Sequence, residues 1–565
     1  MSVSWAADGC KTVDNQSLSC YFLFKMVTAK KIFYFSITIL LLLSLTLGGK
    51  KNASAQSQEP PKRQTSIEVR LTQDEWWLIR WADNQITCQI FIDHEGLPTN
   101  QEINNACDNQ IYNEWVQTPP CDVANQGLRE STTCKGMYLF DVGSQTKEHT
   151  VIIDLPPATV WLNLSGCTLE PPSNFCKNLP SLLLTGQEPL PNEHIEAIHA
   201  VIGKKEYTCT SAICEIPLTP TALRGTQVEF WADSSFGDTT EHYTALVRVL
   251  DSGVTNFPTA GGWFVNVLST QWQGVPVDSC AQIWDAFPPV GGAPFWLSNP
   301  TQEQLLATDQ PFYYLAGRLI DHGVVDASDC PDGGLLPNGY ANACGLDKAR
   351  PMVELWQNQF DKPIIRVAQE TNLPSQLLKN LFAQESQFWP GVFRVSKEFG
   401  LGQMTDLGAD TILIWNPTFY EQFCPLVLES KVCAGGYLHL KADESAILRG
   451  ALASNANADC PECQDGIDLT SVDASITLFA QTLKANCSQI SRTVFNATNS
   501  SPGMVSNYEN LWRFVLANYN AGAGCLAFAV YSTWQNHQPL EWDFVSTHFT
   551  EACQGAVDYV ELIAK

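Results

Sequence analysis

Basic residues are scarce in this chain. Lysine and arginine number 33 against 59 aspartates and glutamates, for a net charge of −26, and no basic block relieves the deficit. Such a surface repels phosphate and argues against a nucleic-acid partner. Metal-ligating patterns are thin as well. The CPEC stretch, Cys460 to Cys463, would suit half a zinc site or a redox pair, but neither a second CxxC nor a His-x-x-x-His completes it. A structural disulfide is the expectation there, and no metal or organic cofactor is implied. Long apolar runs are missing apart from one near the start, which excludes a multi-span membrane protein. Disorder and collagen-like structure are excluded by 45% hydrophobic and 10% aromatic residues.

At 565 residues the chain is too long for one core, and about three or four domains are expected. The single apolar run has a secretory pattern: Lys30 and Lys31, then Ile32 to Leu47, then the small-x-small site Ala53-Ser54-Ala55. Met26 begins this pattern more naturally than Met1, so residues 1–25 read as an over-long start and 26–55 as a signal peptide or a membrane anchor through residues 32–49. Either reading makes the protein extracytoplasmic, secreted or held in the envelope. Cysteine agrees. Of 20, only Cys10 and Cys20 precede Met26, and the other 18 are an even set containing close pairs: Cys121/Cys134, Cys167/Cys176, Cys209/Cys214, Cys330/Cys344 and Cys424/Cys433. In an exported chain such spacing predicts local disulfide loops.

After a polar, Pro-containing linker the chain reads as strand. Residues 67–156 and 157–250 carry period-2 alternation broken by turn clusters, which predicts two small sandwich domains, the second immunoglobulin-like. Trp76, Trp77 and Trp81 are either exposed glycan platforms or core residues of a spacer. Residues 251–349, rich in Gly, Pro and Asp, read as a loop-heavy connector stapled by disulfides. From 350 to 565 the spacing turns helical.

One helix stands out. In "LPSQLLKNLFAQES", Leu377, Leu378, Leu381 and Phe382 form an apolar stripe at roughly 100° per residue, and Glu385 falls in its middle, with Lys379, Asn380 and Ala383 on the other side. A carboxyl pointing toward a core is desolvated, its pKa rises, and it can keep the proton that a general acid must donate. Alternatively Glu385 reaches solvent at a frayed helix end, or pairs with an arginine such as Arg394. Two later segments weigh in. "FGLGQMT" sets glycines around an apolar residue before an amide, and "LANYNAGAG" is a helix ending in Asn and Gly with Tyr519 at its end.

Together, Glu385-Ser386-x-Phe388-x-Pro390, Gly400-Leu401-Gly402-Gln403 and Asn518-Tyr519-Asn520-Ala521-Gly522 resemble the ES, GLMQ and AYNAG motifs of the soluble-lytic-transglycosylase-like domain, a lysozyme-like fold that cleaves bacterial peptidoglycan. The 18 residues from Glu385 to Gln403 match the family spacing, and "AVDYVELI" resembles its closing helix. Gly402 stands where the family has Met, Asn518 where it has Ala, Arg394 or Ser396 must serve for a familiar Ser, and a Cys-rich insert separates the second and third motifs. The fold class expected is therefore multidomain: all-β, immunoglobulin-like sandwich domains followed by a mainly α, lysozyme-like catalytic domain at 350–565.

The resemblance implies peptidoglycan glycan strands as partner. It implies Glu385 as the single acid and then base, cutting the MurNAc-β-1,4-GlcNAc bond with a 1,6-anhydro product. It also implies Ser386 and Gln403 as orienting groups, Tyr519 as a hydrogen bond near the acid, and Asn520, Phe388 and Gly400 on the substrate side, with core packing the equal alternative for Phe388. Trp389 is a further stacking candidate. A glycosidase with two carboxylates would draw on Asp406, Asp410 or Asp473, which otherwise read as surface or helix-start charges. The alternatives are a muramidase on the same fold and a non-catalytic wall-glycan binder.

Overall fold

In the computed structural model the residues described are 62–119, 134–169, 174–253, 255, 261–275, 277–308, 312–391, 398–463 and 465–565. The leader, the anchor candidate, Arg394 and Ser396 lie outside them. From Pro60 onward the chain forms one compact unit, β-rich first and helical after.

The first β region is not a sandwich. Strands β1 (Gln64–Arg80), β2 (Ile86–Ile92) and β3 (Met137–Asp154) form one sheet in the order β2-β1-β3, and its core is closed by helices α1 (Asn100–Ala106) and α2 (Asn109–Gln117). Both helices have local causes. Thr99 and Glu102 make a capping box, and Asp108 accepts from the N–H groups of Gln110 and Ile111. Cys88–Cys107 ties α1 to β2. The three tryptophans are half-buried and already engaged: Trp76 packs on this core, the Trp77 indole donates to Glu75 at 2.6 Å, and Trp81 lies 4.3 Å from Tyr138. Beyond Asp74 toward the N-terminus, β1 pairs only with β3, and this two-stranded ribbon is exposed along most of its length. Its base is fastened by Arg63, which reaches Glu188 and Asp238 of the next domain at 2.6 Å each.

That next domain is a sandwich. Strands β4 (Thr159–Ser165), β6 (Ser181–Gln187) and β9 (Ile213–Pro217) make one sheet. The other has the order β5-β12-β11-β10-β7-β8, from β5 (Phe175–Cys176), β7 (Ile195–Ile202), β8 (Lys205–Cys209), β10 (Thr226–Ser234), β11 (Tyr243–Asp251) and β12 (Trp263–Leu268). Val160, Leu184, Ile216, Ile198, Phe230, Val247 and Val265 from both sheets share one core, as alternating strands facing each other must.

Residues 251–349 are no mere connector. Strand β12 completes the sandwich. Trp284 of helix α3 (Ser279–Trp284), Trp296, and Leu315 and Leu319 of α4 (Tyr313–Asp321) join the helical core. Cys280–Cys487 fixes this region across a sequence separation of 207, a bridge that local spacing could not foretell. The predicted pairs Cys167–Cys176, Cys209–Cys214, Cys330–Cys344, Cys424–Cys433 and Cys460–Cys463 are formed. Cys525–Cys553 is a further one. Cys134 is disulfide-bonded, and Cys121 lies outside the described residues. The eight bridges named among the described residues fit an oxidising, extracytoplasmic setting. Among the described residues no helix is long and apolar enough to cross a membrane.

The helical unit is built from α5 (Ala343–Asn358), α6 (Asp361–Thr371), α7 (Ser375–Glu385), α8 (Asp406–Trp415), α9 (Pro417–Val427), α10 (Ala442–Ala456), α11 (Val472–Thr498), α12 (Tyr508–Ala521), α13 (Ala523–Gln535) and α14 (Gly555–Ile563). The insert forms a lobe, α8 to α10, with a small core of its own around Ile412, Tyr420 and Leu448.

Candidate active site

Helix α7 is buried on every side, not amphipathic. Leu377, Leu378, Leu381 and Phe382 are fully covered, but so are Lys379 and Ala383 on the face expected to be outside. Lys379 survives there because its ammonium meets Asp361 at 2.5 Å and Asn358 at 3.1 Å. Burial opposes the charge of both partners, lowering the pKa of Lys379 and raising that of Asp361. Asn380 donates to the Ile563 carbonyl at 3.1 Å and so ties α7 to α14.

Glu385 is the last residue of α7 and half-buried. Desolvation pushes its pKa up to about 7; the nearby Glu398 charge adds to the rise, and a hydrogen bond from the Tyr559 hydroxyl to Oε1 opposes it. That hydroxyl comes from α14, not from Tyr519 as the resemblance implied. Tyr519 donates instead to the Gly402 carbonyl. It still feels the charges of Glu385 and Glu398, and its own pKa is raised, chiefly by burial. The two tyrosines, Glu385 and Glu398 therefore form one electrostatic cluster.

The turn Phe399–Met404 closes this cluster. Phe399 and Met404 exchange backbone hydrogen bonds at 3.1 and 2.8 Å. Gly400 has φ +73°, and a Cβ there would stand 2.3 Å from the Ala456 carbonyl, so only glycine fits. Gly402 is equally constrained: a Cβ would meet the Phe479 ring at 1.9 Å. The Met-to-Gly departure thus goes with an aromatic ring occupying the space. Gln403, at φ +51°, is buried; its amide donates to the Gly400 carbonyl at 2.6 Å and its Oε1 has no partner. That oxygen is left able to accept a hydrogen bond.

Other expected residues stand elsewhere. Ser386 is buried, and its hydroxyl donates to the Phe382 carbonyl at 3.2 Å. Phe388 is core, stacked 6.3 Å from Phe360, and so cannot serve as a sugar platform. Trp389 is also fully covered, between His322 and Trp356 at 5.3 and 5.7 Å. Asn520 is exposed. Asn518 turns inward to Asn486 and Gln489 at 2.6 and 2.7 Å. The three aspartates are spoken for or remote in role: Asp410 binds Tyr437 and Arg449 at 2.5 and 3.0 Å, Asp473 pairs with Arg366 at 2.9 Å, and Asp406 is exposed in the first turn of α8. Sequence reasoning missed Tyr559 and Glu398. For Glu398 the signal was its place two residues before Gly400.

No family model, curated protein or solved structure matches this chain. Among the described residues no cluster of three or more His, Cys, Asp or Glu could hold a metal ion. The chemistry available is that of a protonated carboxyl, two phenols, a free amide oxygen and a second carboxylate.

Proposed function

We propose that this protein is an exported lytic transglycosylase that cleaves the glycan strands of peptidoglycan, with the sandwich immunoglobulin-like and the helical unit lysozyme-like. The observation that carries the reading is Glu385 itself, a carboxyl raised to about 7 by burial at the end of a core helix. Protonated, it donates to the glycosidic oxygen as the bond to C1 breaks. As carboxylate, it then takes the proton of the same sugar's 6-hydroxyl while that oxygen bonds to C1, which closes the anhydro ring without water. The free Gln403 Oε1 suits an N-acetyl N–H or hydroxyl of the sugar, and Tyr559 holds the acid in place.

Glu398 favours a second reading. It is the carboxylate whose charge reaches both Glu385 and Tyr519, and a muramidase on this scaffold would use it, rather than the engaged aspartates, to position water. The test is mass spectrometry of peptidoglycan digested by the secreted chain beside Glu385→Gln. Anhydro muropeptides, lost in the variant, support the transglycosylase. Products one water heavier move the assignment to hydrolysis and to Glu398. Wall binding with no product from either protein sinks catalysis altogether.

A further inference from the structure

The outer face of the six-stranded sheet is where the sandwich meets the helical unit. Along β11, Ala245, Val247 and Val249 enter the sandwich core, whereas Leu246 packs toward the helical core, and Arg248 lies on the same outward side. Arg248 sits opposite Asn266 of β12 and is only 5% exposed. Its Nε and Nη2 donate to Asn266 Oδ1 at 3.1 and 2.6 Å, and Nη2 also to the Pro288 carbonyl at 2.5 Å. The guanidinium lies 4.5 Å from the centre of the Phe287 ring. Nη1 makes no hydrogen bond and no carboxylate pairs with the group among the described residues. Buried charges are ordinarily paired. Here burial alone acts, pulling the pKa down to about 10.

Arg248 lines a cavity of about 840 Å³ between the sandwich and the segments 282–290 and 501–509, a size that suits a small ligand. Two glycines shape it. A Cβ on Gly225 would stand 2.8 Å from the Phe287 ring, and one on Gly503 would stand 2.0 Å from the Asp285 carbonyl. Leu268, Val290 and Met504 give the cavity apolar wall; Asp285 and Glu509 make it acidic in part, the latter already paired with Arg513 at 2.8 Å.

We propose that this cavity is a second ligand site, which holds a short peptide by its terminal carboxylate on Arg248. With Nε and Nη2 already spent on Asn266 and Pro288, the two N–H groups of Nη1 are left to donate to a carboxylate. A phosphate dianion is disfavoured because the two arginines of the lining, Arg248 and the exposed Arg224, face two acids, Asp285 and Glu509, and leave no excess positive charge. The apolar wall takes the methyl or methylene groups next to the carboxylate, and Asp285 faces any ammonium the peptide carries. Naming the wall's stem peptides as source rests on the peptidoglycan reading; the carboxylate site itself does not.

The test is calorimetric titration and thermal shift of the whole secreted chain with N-acetyl-D-alanyl-D-alanine, its C-terminal amide, and acetate at equal ionic strength. Saturable binding of the acid, weakened roughly tenfold or more in the amide and in Arg248→Gln and partly restored in Arg248→Lys, is expected from loss of a charge-assisted hydrogen bond. Equal response to acid and amide in the unaltered chain overturns the proposal even if Arg248→Gln does not fold. Protection by acetate as strong as by the peptide overturns the peptide assignment. Glu385→Gln is run alongside: it must bind the acid as the parent chain does, so failure at the cleft and failure at the seam are read separately.

Discussion

Glu385 and Asp278 are both pushed up to about 7, and in both burial is the leading cause. Each also has a tyrosine beside it, Tyr559 for one and Tyr508 for the other. Their lone pairs differ. Asp278 Oδ1 accepts from the N–H groups of Cys280 and Ala281 at 2.9 and 3.0 Å and so caps α3, while its Oδ2 is left without a hydrogen bond among the described residues. Among the described residues Glu385 has one side-chain partner, the Tyr559 hydroxyl, and it ends α7 within range of the Glu398 charge. A raised pKa identifies a desolvated carboxyl. What its oxygens hold separates a carboxyl that caps a helix from one that has no such duty.

The sharpest break of this pairing is chemical. Glu385→Gln is expected to lower glycan cleavage by roughly 10²–10⁴-fold, whereas Asp278→Asn, which keeps the cap, leaves turnover within about twofold, both read from muropeptide release. An equal loss in both variants would undo the contrast. Next in size is the covalent anchor of the Asp278 side. Replacing Cys280 and Cys487 by Ala is expected to remove about 3–5 kcal/mol of stability by urea titration, since the bridge closes a long loop.

Stability against pH tests what the two groups share. Both folded pKa values exceed the unfolded ones, 4.5 and 3.8, so the folded chain binds more protons between about pH 4 and 7. Its stability therefore falls as pH rises through that window, by about 3–4 kcal/mol for each group. Glu385→Gln and Asp278→Asn should each flatten the curve, measured by urea unfolding from pH 4.5 to 8. Gly402→Met is expected to cost about 1–3 kcal/mol through collision with Phe479, and a stable variant would show that the ring can move aside. The smallest effect is Tyr559→Phe. Loss of a bond that lowers the pKa of Glu385 should move the alkaline limb of kcat/KM upward by up to about one unit. A downward shift would mean that Tyr559 does not donate to the carboxylate.

The sequence made Glu385 legible through apolar spacing, but for an incomplete reason. The spacing marks one face of α7, and only the Asp361–Lys379 pair reveals that the opposite face is buried too. Tyr559 could not be read because its partner is 174 residues away. Phe388 stayed open between sugar and core, since an aromatic side chain in a motif looks the same either way, and burial decides for the core. The helical unit was placed too late in the chain because α3 and α4 are too short to show a period amid glycine and proline. By contrast α1 was readable: Thr99 and Glu102 have the spacing of a capping box, overlooked beside strong strand signals.

The ribbon of β1 and β3 has a mechanical consequence. About ten residue pairs, Gln64–Gln73 against Gln145–Asp154, extend the small α/β head roughly 33 Å from the point where Arg63 rivets the chain to the sandwich. Only two strands carry this span, so the head stands off from the sandwich on a slender boom. Anything bound by the head is thereby held within a radius of the sandwich set by the boom's length, and its local concentration follows from that length rather than from diffusion.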